Sequence, residues 1–203
     1  MRCIFLILIL SVFFICCTKN NNQIENINPI ENIGGSEYFP NSVGDYWKYK
    51  YSDSLSNSTS FVDVNIVGNK TLPNGQVAKV WVFKFTSSVD TNYVYQIGDT
   101  IRFLNVYLEV INTYVTPLLL NNKWENSFLF DSIEVKEQRT FILNKKNFDN
   151  SFLLNEHGYS FNYFLTRVEW FCPNIGMLTK ARKEYSLGYL DDSYWELVQY
   201  QLK

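Results

Sequence analysis

Among the side chains that carry chemistry, the 203-residue chain supplies one histidine, His157, and four cysteines. His157 stands in Glu156-His157-Gly158, which reads as a turn, and a lone imidazole with no second histidine or cysteine pair makes none of the common metal sites. A Ser/His/Asp arrangement would have to use His157, yet the sequence contains no Gly-x-Ser-x-Gly elbow to present the serine. Cys172 ends the run Trp170-Phe171-Cys172-Pro173 with no basic neighbour to make a thiolate, so it reads as a buried structural thiol. Paired carboxylates remain. Asp191-Asp192, and Glu134 with Glu137, could supply the acid and the base or nucleophile of a glycosidase, whose separation a sequence does not fix. Turn and solvent-facing roles account for these acids more simply. No Gly-rich loop suited to a phosphate appears either, and the expectation is a non-catalytic protein without cofactor or metal.

The pair Cys16-Cys17 points to a different chemistry. Arg2 is followed by an apolar run over residues 3–15, and apolarity stops at Phe14-Ile15-Cys16-Cys17 before Thr18-Lys19-Asn20. Too short to span a bilayer as a mature helix, the run reads as a signal peptide over residues 1–16. Its junction resembles a bacterial lipobox, in which a small residue precedes a cysteine that is acylated before cleavage on its N-terminal side. Cys17 fits as the acylated residue and Cys16 as the small one, with Phe14 standing where the usual pattern has Leu. Cleavage there removes Cys3 and Cys16, and a lipid on Cys17 leaves Cys172 no intramolecular partner. Palmitate-type chains, each buried methylene worth about 0.8 kcal/mol, would hold the protein to a membrane. By resemblance to enteric lipoproteins, Thr18 in place of Asp after that cysteine implies the outer membrane.

The elements behind these residues follow from composition. The chain is 46% hydrophobic and 17% aromatic, enough for a real core, and its 18 Lys+Arg against 20 Asp+Glu are scattered, so neither nucleic acid nor a polybasic membrane patch is indicated. Residues 17–36 are Asn-rich, with an echo of Ile24-Glu25-Asn26-Ile27 in Ile30-Glu31-Asn32-Ile33, and read as a tether; residues 37–203 read as one β-domain. Within that domain Ala78 and Ala181 are the only alanines. Period-two alternation is frequent: Trp47, Tyr49 and Tyr51 interleave with lysines, while Val62, Val64 and Ile66 interleave with Asp63 and Asn65. Turn chemistry at 54–59, Pro73-Asn74-Gly75, Gly98-Asp99, Asn121-Asn122, His157-Gly158 and Leu190-Asp191-Asp192 divides the domain into roughly ten antiparallel strands. Two runs, 77–85 and 101–110, are apolar on both faces, which excludes a flat single sheet. The expected fold is all-β, an antiparallel meander forming a barrel or half-barrel, with a two-sheet sandwich as the alternative.

Three segments together carry a family resemblance: Tyr38-Phe39-Pro40 with Gly44 and Trp47-x-Tyr49; Pro117 with Trp124; and Pro173-Asn174-Ile175-Gly176-Met177 followed by Trp195-Glu196-Leu197. They resemble uncharacterised secreted lipoproteins of the Bacteroidota, which implies an envelope location and carries no known activity. In that phylum Ser or Thr after Asp and before a small apolar residue accepts O-glycans, which makes Ser54, Thr100 and Ser132 candidate acceptors. Pro40 and Gly44 are expected to shape the domain entry, Gly176 a turn between two late strands, and the tryptophans chiefly the core. The functional expectation is a membrane-anchored envelope lipoprotein that binds an apolar or amphipathic small molecule, or else serves as a structural partner of another envelope protein. Whether the interior is filled decides between them; no ligand-binding residue is legible.

Overall fold

The computed structural model describes residues 38–126, 131–160 and 162–203, and of Tyr189 the backbone alone; the signal peptide, Cys17 and the tether lie outside the described residues. Among the described residues the chain forms β1 (Tyr46–Asp53), β2 (Ser58–Thr71), β3 (Val77–Lys84), β4 (Val89–Ile97), β5 (Thr100–Leu104), β6 (Val110–Val115), β7 (Lys123–Glu125), β8 (Ser132–Leu143), β9 (Lys146–Ser160), β10 (Tyr163–Cys172), β11 (Gly176–Ser186) and β12 (Tyr189–Gln201). They make one antiparallel sheet in the order β6-β5-β4-β3-β2-β1-β12-β11-β10-β9-β8-β7, a meander in which first and last strands pair, Trp47 opposite Tyr200. A single curved sheet rules out the sandwich. Only β6 and β7 keep a free edge, and side chains bridge it: Trp124 Nε1 donates to the Thr113 carbonyl at 2.8 Å, and the Thr113 amide donates to Asn126 Oδ1 at 2.8 Å. The barrel is therefore nearly closed, by strand ladders everywhere except this seam.

Alternation selects the inner face. Trp47 and Tyr49 of β1 and Val62, Val64 and Ile66 of β2 are buried, while Lys50 between them and solvent is exposed. Burying such side chains contributes about 1.5–3 kcal/mol each. The apolar outer face of residues 77–85 is also explained. Ala78 and Leu104 lie on the strand face opposite Trp81 and Phe103, and with Leu72 and Tyr95 they form a small core of their own.

One end of the barrel is stoppered by the residues before β1. Tyr38 and Phe39 are buried; the Phe39 ring stacks on Phe171 at 5.6 Å and meets Phe103 and Tyr114 edge-on or tilted. The stopper is fixed by Asn174 donating its amide to the Tyr38 carbonyl (3.0 Å), Leu118 donating to the Tyr38 hydroxyl (3.2 Å), and Trp81 Nε1 donating to Asn41 (2.9 Å). Gly176, at φ +99°, makes the β10–β11 turn as expected, and its carbonyl neighbour Ile175 accepts from Trp47 Nε1 at 2.7 Å.

Four sequence readings need correction. Twelve strands are present instead of roughly ten, because 101–110 is not one run: Asn105 accepts from the amides of Tyr107 and Glu109 and folds the chain into the β5–β6 hairpin. His157-Gly158 is no turn but lies within β9, and Leu190-Asp191-Asp192 lies within β12; the turn there is Leu187-Gly188, both at positive φ.

Candidate functional site

Above the Phe39 stopper the barrel encloses a cavity of about 830 Å³. Its mouth is at the opposite end, among Asp90 at the start of β4, Asn105 and Glu109 in the β5–β6 turn, and Ser186 at the end of β11. Two walls of unlike chemistry face each other across it. Strands β1 to β6 supply rings, with Tyr49, Trp81, Phe83, Phe103 and Tyr114 on the lining. Trp47 stacks on Trp81 at 5.0 Å, and Trp81 meets Phe103 edge-on at 5.5 Å, so the wall is held rigid by its own contacts.

Strands β9 to β11 supply charge: Glu156, Arg167, Glu169, Lys180, Arg182 and Glu184 line the same space. Arg167 lies opposite Glu156 in register and its Nε sits 2.9 Å from Glu156 Oε2; its Nη2 donates to Asn112 Oδ1 at 2.9 Å. Burial alone would lower its pKa, but the carboxylates of Glu156 and Glu169 outweigh that and hold it firmly charged. Tyr114 crosses the barrel to donate to Glu169 Oε1 at 2.8 Å, and burial together with the Glu169 charge pushes its phenol well above the ordinary range, so it remains a donor. Asn126 completes the network. It accepts from the Thr113 amide at the seam and donates to Glu156, which ties barrel closure to the charged wall. On β11, Arg182 pairs with Glu184 and lies 3.6 Å from Asp191 of β12. Lys180 is different: its ammonium sits 4.3 Å from the Trp195 ring centroid, and burial, with Arg167 and Arg182 adding to it against Glu169, pulls its pKa down to about 8.

Beside this wall, Asp131 is 2% exposed. Tyr163 donates to its Oδ2 at 3.0 Å, whereas Oδ1 has no hydrogen-bond partner among the described residues. Burial, reinforced by Glu156 and Glu184 and opposed by the Tyr163 bond, lifts its pKa to about 6. Gly158 is there to admit it: a Cβ at that position would stand 1.5 Å from Asp131 Oδ1. Close approach, not a turn, explains the glycine that follows His157.

The residues singled out from sequence are dispersed. Cys17 lies outside the described residues. Ser54 is exposed in the β1–β2 turn, while Thr100 and Ser132 are half-buried first residues of β5 and β8. His157 is exposed on β9; Cys172 is buried, and burial raises its thiol pKa. Glu134 pairs with Lys136 at 2.6 Å and Glu137 with Arg139 at 3.0 Å, both pairs within β8, and Asp191 is taken by Arg182. Sequence reasoning missed Arg167, Glu169 and Lys180. The available signal was Arg167-x-Glu169 set between Leu165 and Phe171, two charges at inward positions of an aromatic strand.

No protein-family model matches the sequence, and no curated protein does. Among solved structures, the fold aligns with a candidate lipoprotein from Parabacteroides distasonis over 81% of this chain and 98% of that one, at 17% identity and a TM-score of 0.46. It also aligns with a candidate exported protein of YmcC-like fold from Bacteroides fragilis, over 81% of this chain and 98% of that one, at 12% identity and a TM-score of 0.41.

Proposed function

We propose that this protein is a non-catalytic, lipid-anchored envelope protein whose barrel binds a small amphipathic molecule. The observation that carries the binding reading is the cavity of about 830 Å³ between a ring wall and a charged wall, a volume in the range of small-molecule sites and a lining suited to a ligand with one apolar and one polar side. Packing alone would explain the rings; it does not explain leaving that space in front of them. The anchor is read from the lipobox-like junction at Cys17, and the outer membrane from Thr18 after it. Ser54, Thr100 and Ser132 are offered as O-glycan acceptors on the same resemblance.

The unit of residues 32–203 lacks Cys17 and so carries no acyl chain. Stripped of co-purified lipid, this unit is expected to bind a hydrophobic fluorophore saturably at one site per barrel. Native mass spectrometry showing it empty as purified, together with indifference to such probes, would sink the binding reading. Fatty-acid labelling checks the anchor, since Cys17→Ala must lose both label and membrane attachment. An intact mass equal to peptide plus lipid would dispose of the glycans.

A second reading, a docking partner for another envelope protein, has one observation in its favour. Tyr159, Phe164 and Tyr185 lie opposite one another on three adjacent strands and are 77%, 39% and 48% exposed, a row of rings turned to solvent.

A further inference from the structure

We infer that the cavity takes an amphiphile with a single negative charge, its carboxylate-sized head group held by Lys180 with Arg182 and Arg167 beside it and its apolar body laid on the ring wall. The inference rests on the binding reading above and names the class of ligand.

The argument begins with register. Arg167 of β10 lies directly opposite Arg182 of β11, and Lys180 is the next inward residue along β11, opposite Glu169. Three cations thus occupy neighbouring inward positions on two strands, although like charges facing each other across a ladder are unfavourable. Glu156, Glu169 and Glu184 line the same space, with side chains 2%, 1% and 17% exposed against 13% for Arg167 and 40% for Arg182, so the most exposed of these five charges is the guanidinium of Arg182.

Among these cations Lys180 is the one left over. Arg167 is committed to Glu156 and Asn112, and Arg182 to Glu184 and Asp191. Among the described residues no carboxylate oxygen comes within 4.0 Å of the Lys180 ammonium, and its close contact is the Trp195 face. An ammonium has three donors and no acceptor, so one half-buried against a ring face and without a carboxylate partner is costly until an anion meets it. Trp195 and Tyr49, at 5.8 Å from each other, carry the ring surface up to that ammonium, so a head group there continues directly into an apolar path. Asp90 and Glu109 at the mouth argue for the opposite sign of ligand, and a cationic amphiphile is therefore one arm of the test.

The experiment is calorimetry on delipidated residues 32–203 with three probes of equal chain length, each below its micelle concentration: dodecanoate, dodecanol and dodecyltrimethylammonium. Dodecanoate is expected to bind at least about tenfold more tightly than dodecanol, which at RT ln 10 is about 1.4 kcal/mol. Lys180→Met is expected to remove that difference while dodecanol binding holds. Wild-type protein at pH 8.5 should also take up a proton as dodecanoate binds, read as a dependence of the heat on buffer ionisation, because an anion beside Lys180 restores its charge. That measurement needs no variant, and Lys180→Gln is the fallback should the methionine variant fold poorly. Equal affinity for acid and alcohol, or a preference for the ammonium probe, overturns the head-group assignment and leaves the cavity reading standing. Binding of none of the three overturns both.

Discussion

Replacing Lys180 by Met offers a direct measure of how far the interior is organised around an absent counter-charge. The ammonium titrates near 8 where a lysine ordinarily titrates at 10.5, with burial the main cause. At roughly 1.4 kcal/mol per pH unit of displacement, the charged form is disfavoured in the fold by at most about 3 kcal/mol. Its contact with the Trp195 face at 4.3 Å returns about 1 kcal/mol, and methionine keeps most of the stem packing. The variant should therefore be about 2 kcal/mol more stable at pH 7. The sign with pH is fixed by the direction of the displacement. A lysine whose folded pKa is depressed destabilises fully below that pKa, and the penalty fades as pH rises from about 8 toward the unfolded value of 10.5. Urea melts of wild type and Lys180→Met at pH 7 and 9.5 test this, with the advantage of the variant expected to shrink to about 1 kcal/mol at the higher pH. A variant less stable than wild type at pH 7, or a difference that is flat with pH, would refute the claim that Lys180 is desolvated and unpaired.

Two further outcomes are expected. Gly158→Ala should destabilise by about 3 kcal/mol or more, because the added methyl collides with Asp131 Oδ1, and Asp131→Ala in the same chain should restore most of the loss; additive effects in that double-mutant cycle would mean the two residues do not touch. Asn126→Ala should cost about 1 kcal/mol, because the Thr113 amide keeps Asn112 Oδ1 at 3.0 Å and Glu156 keeps Arg167, and should speed hydrogen exchange at Thr113; unchanged exchange there would show that the seam is held by something else.

The fold was largely legible because its inner face obeys a simple rule where the strands are apolar. Trp47, Tyr49, Val62, Val64 and Ile66 were readable as inward residues, since lysine, aspartate or asparagine separates them. The hairpin inside 101–110 was hidden because its turn contains neither glycine nor proline; Asn105 alone makes it. Gly158 misled for the converse reason, being a glycine placed for a neighbouring carboxylate and not for the backbone. The charged wall was illegible by alternation. On β11 the inward Lys180, Arg182 and Glu184 are all charged while the outward face carries Ala181, Lys183 and Tyr185, so alternation read from sequence would turn the charged face to solvent, the reverse of what the fold does.

The stopper gives the barrel a mechanical polarity. Phe39 lines the cavity and Tyr38 is buried just before it, so a pull on the segment ahead of them acts on ring stacking and a few hydrogen bonds before it loads any strand ladder. Those contacts are the fuse of the assembly. Under tension from its N-terminal side the protein would yield first by drawing the stopper, opening the cavity at its base, while the pairing of β1 with β2 and β12 still carries no load.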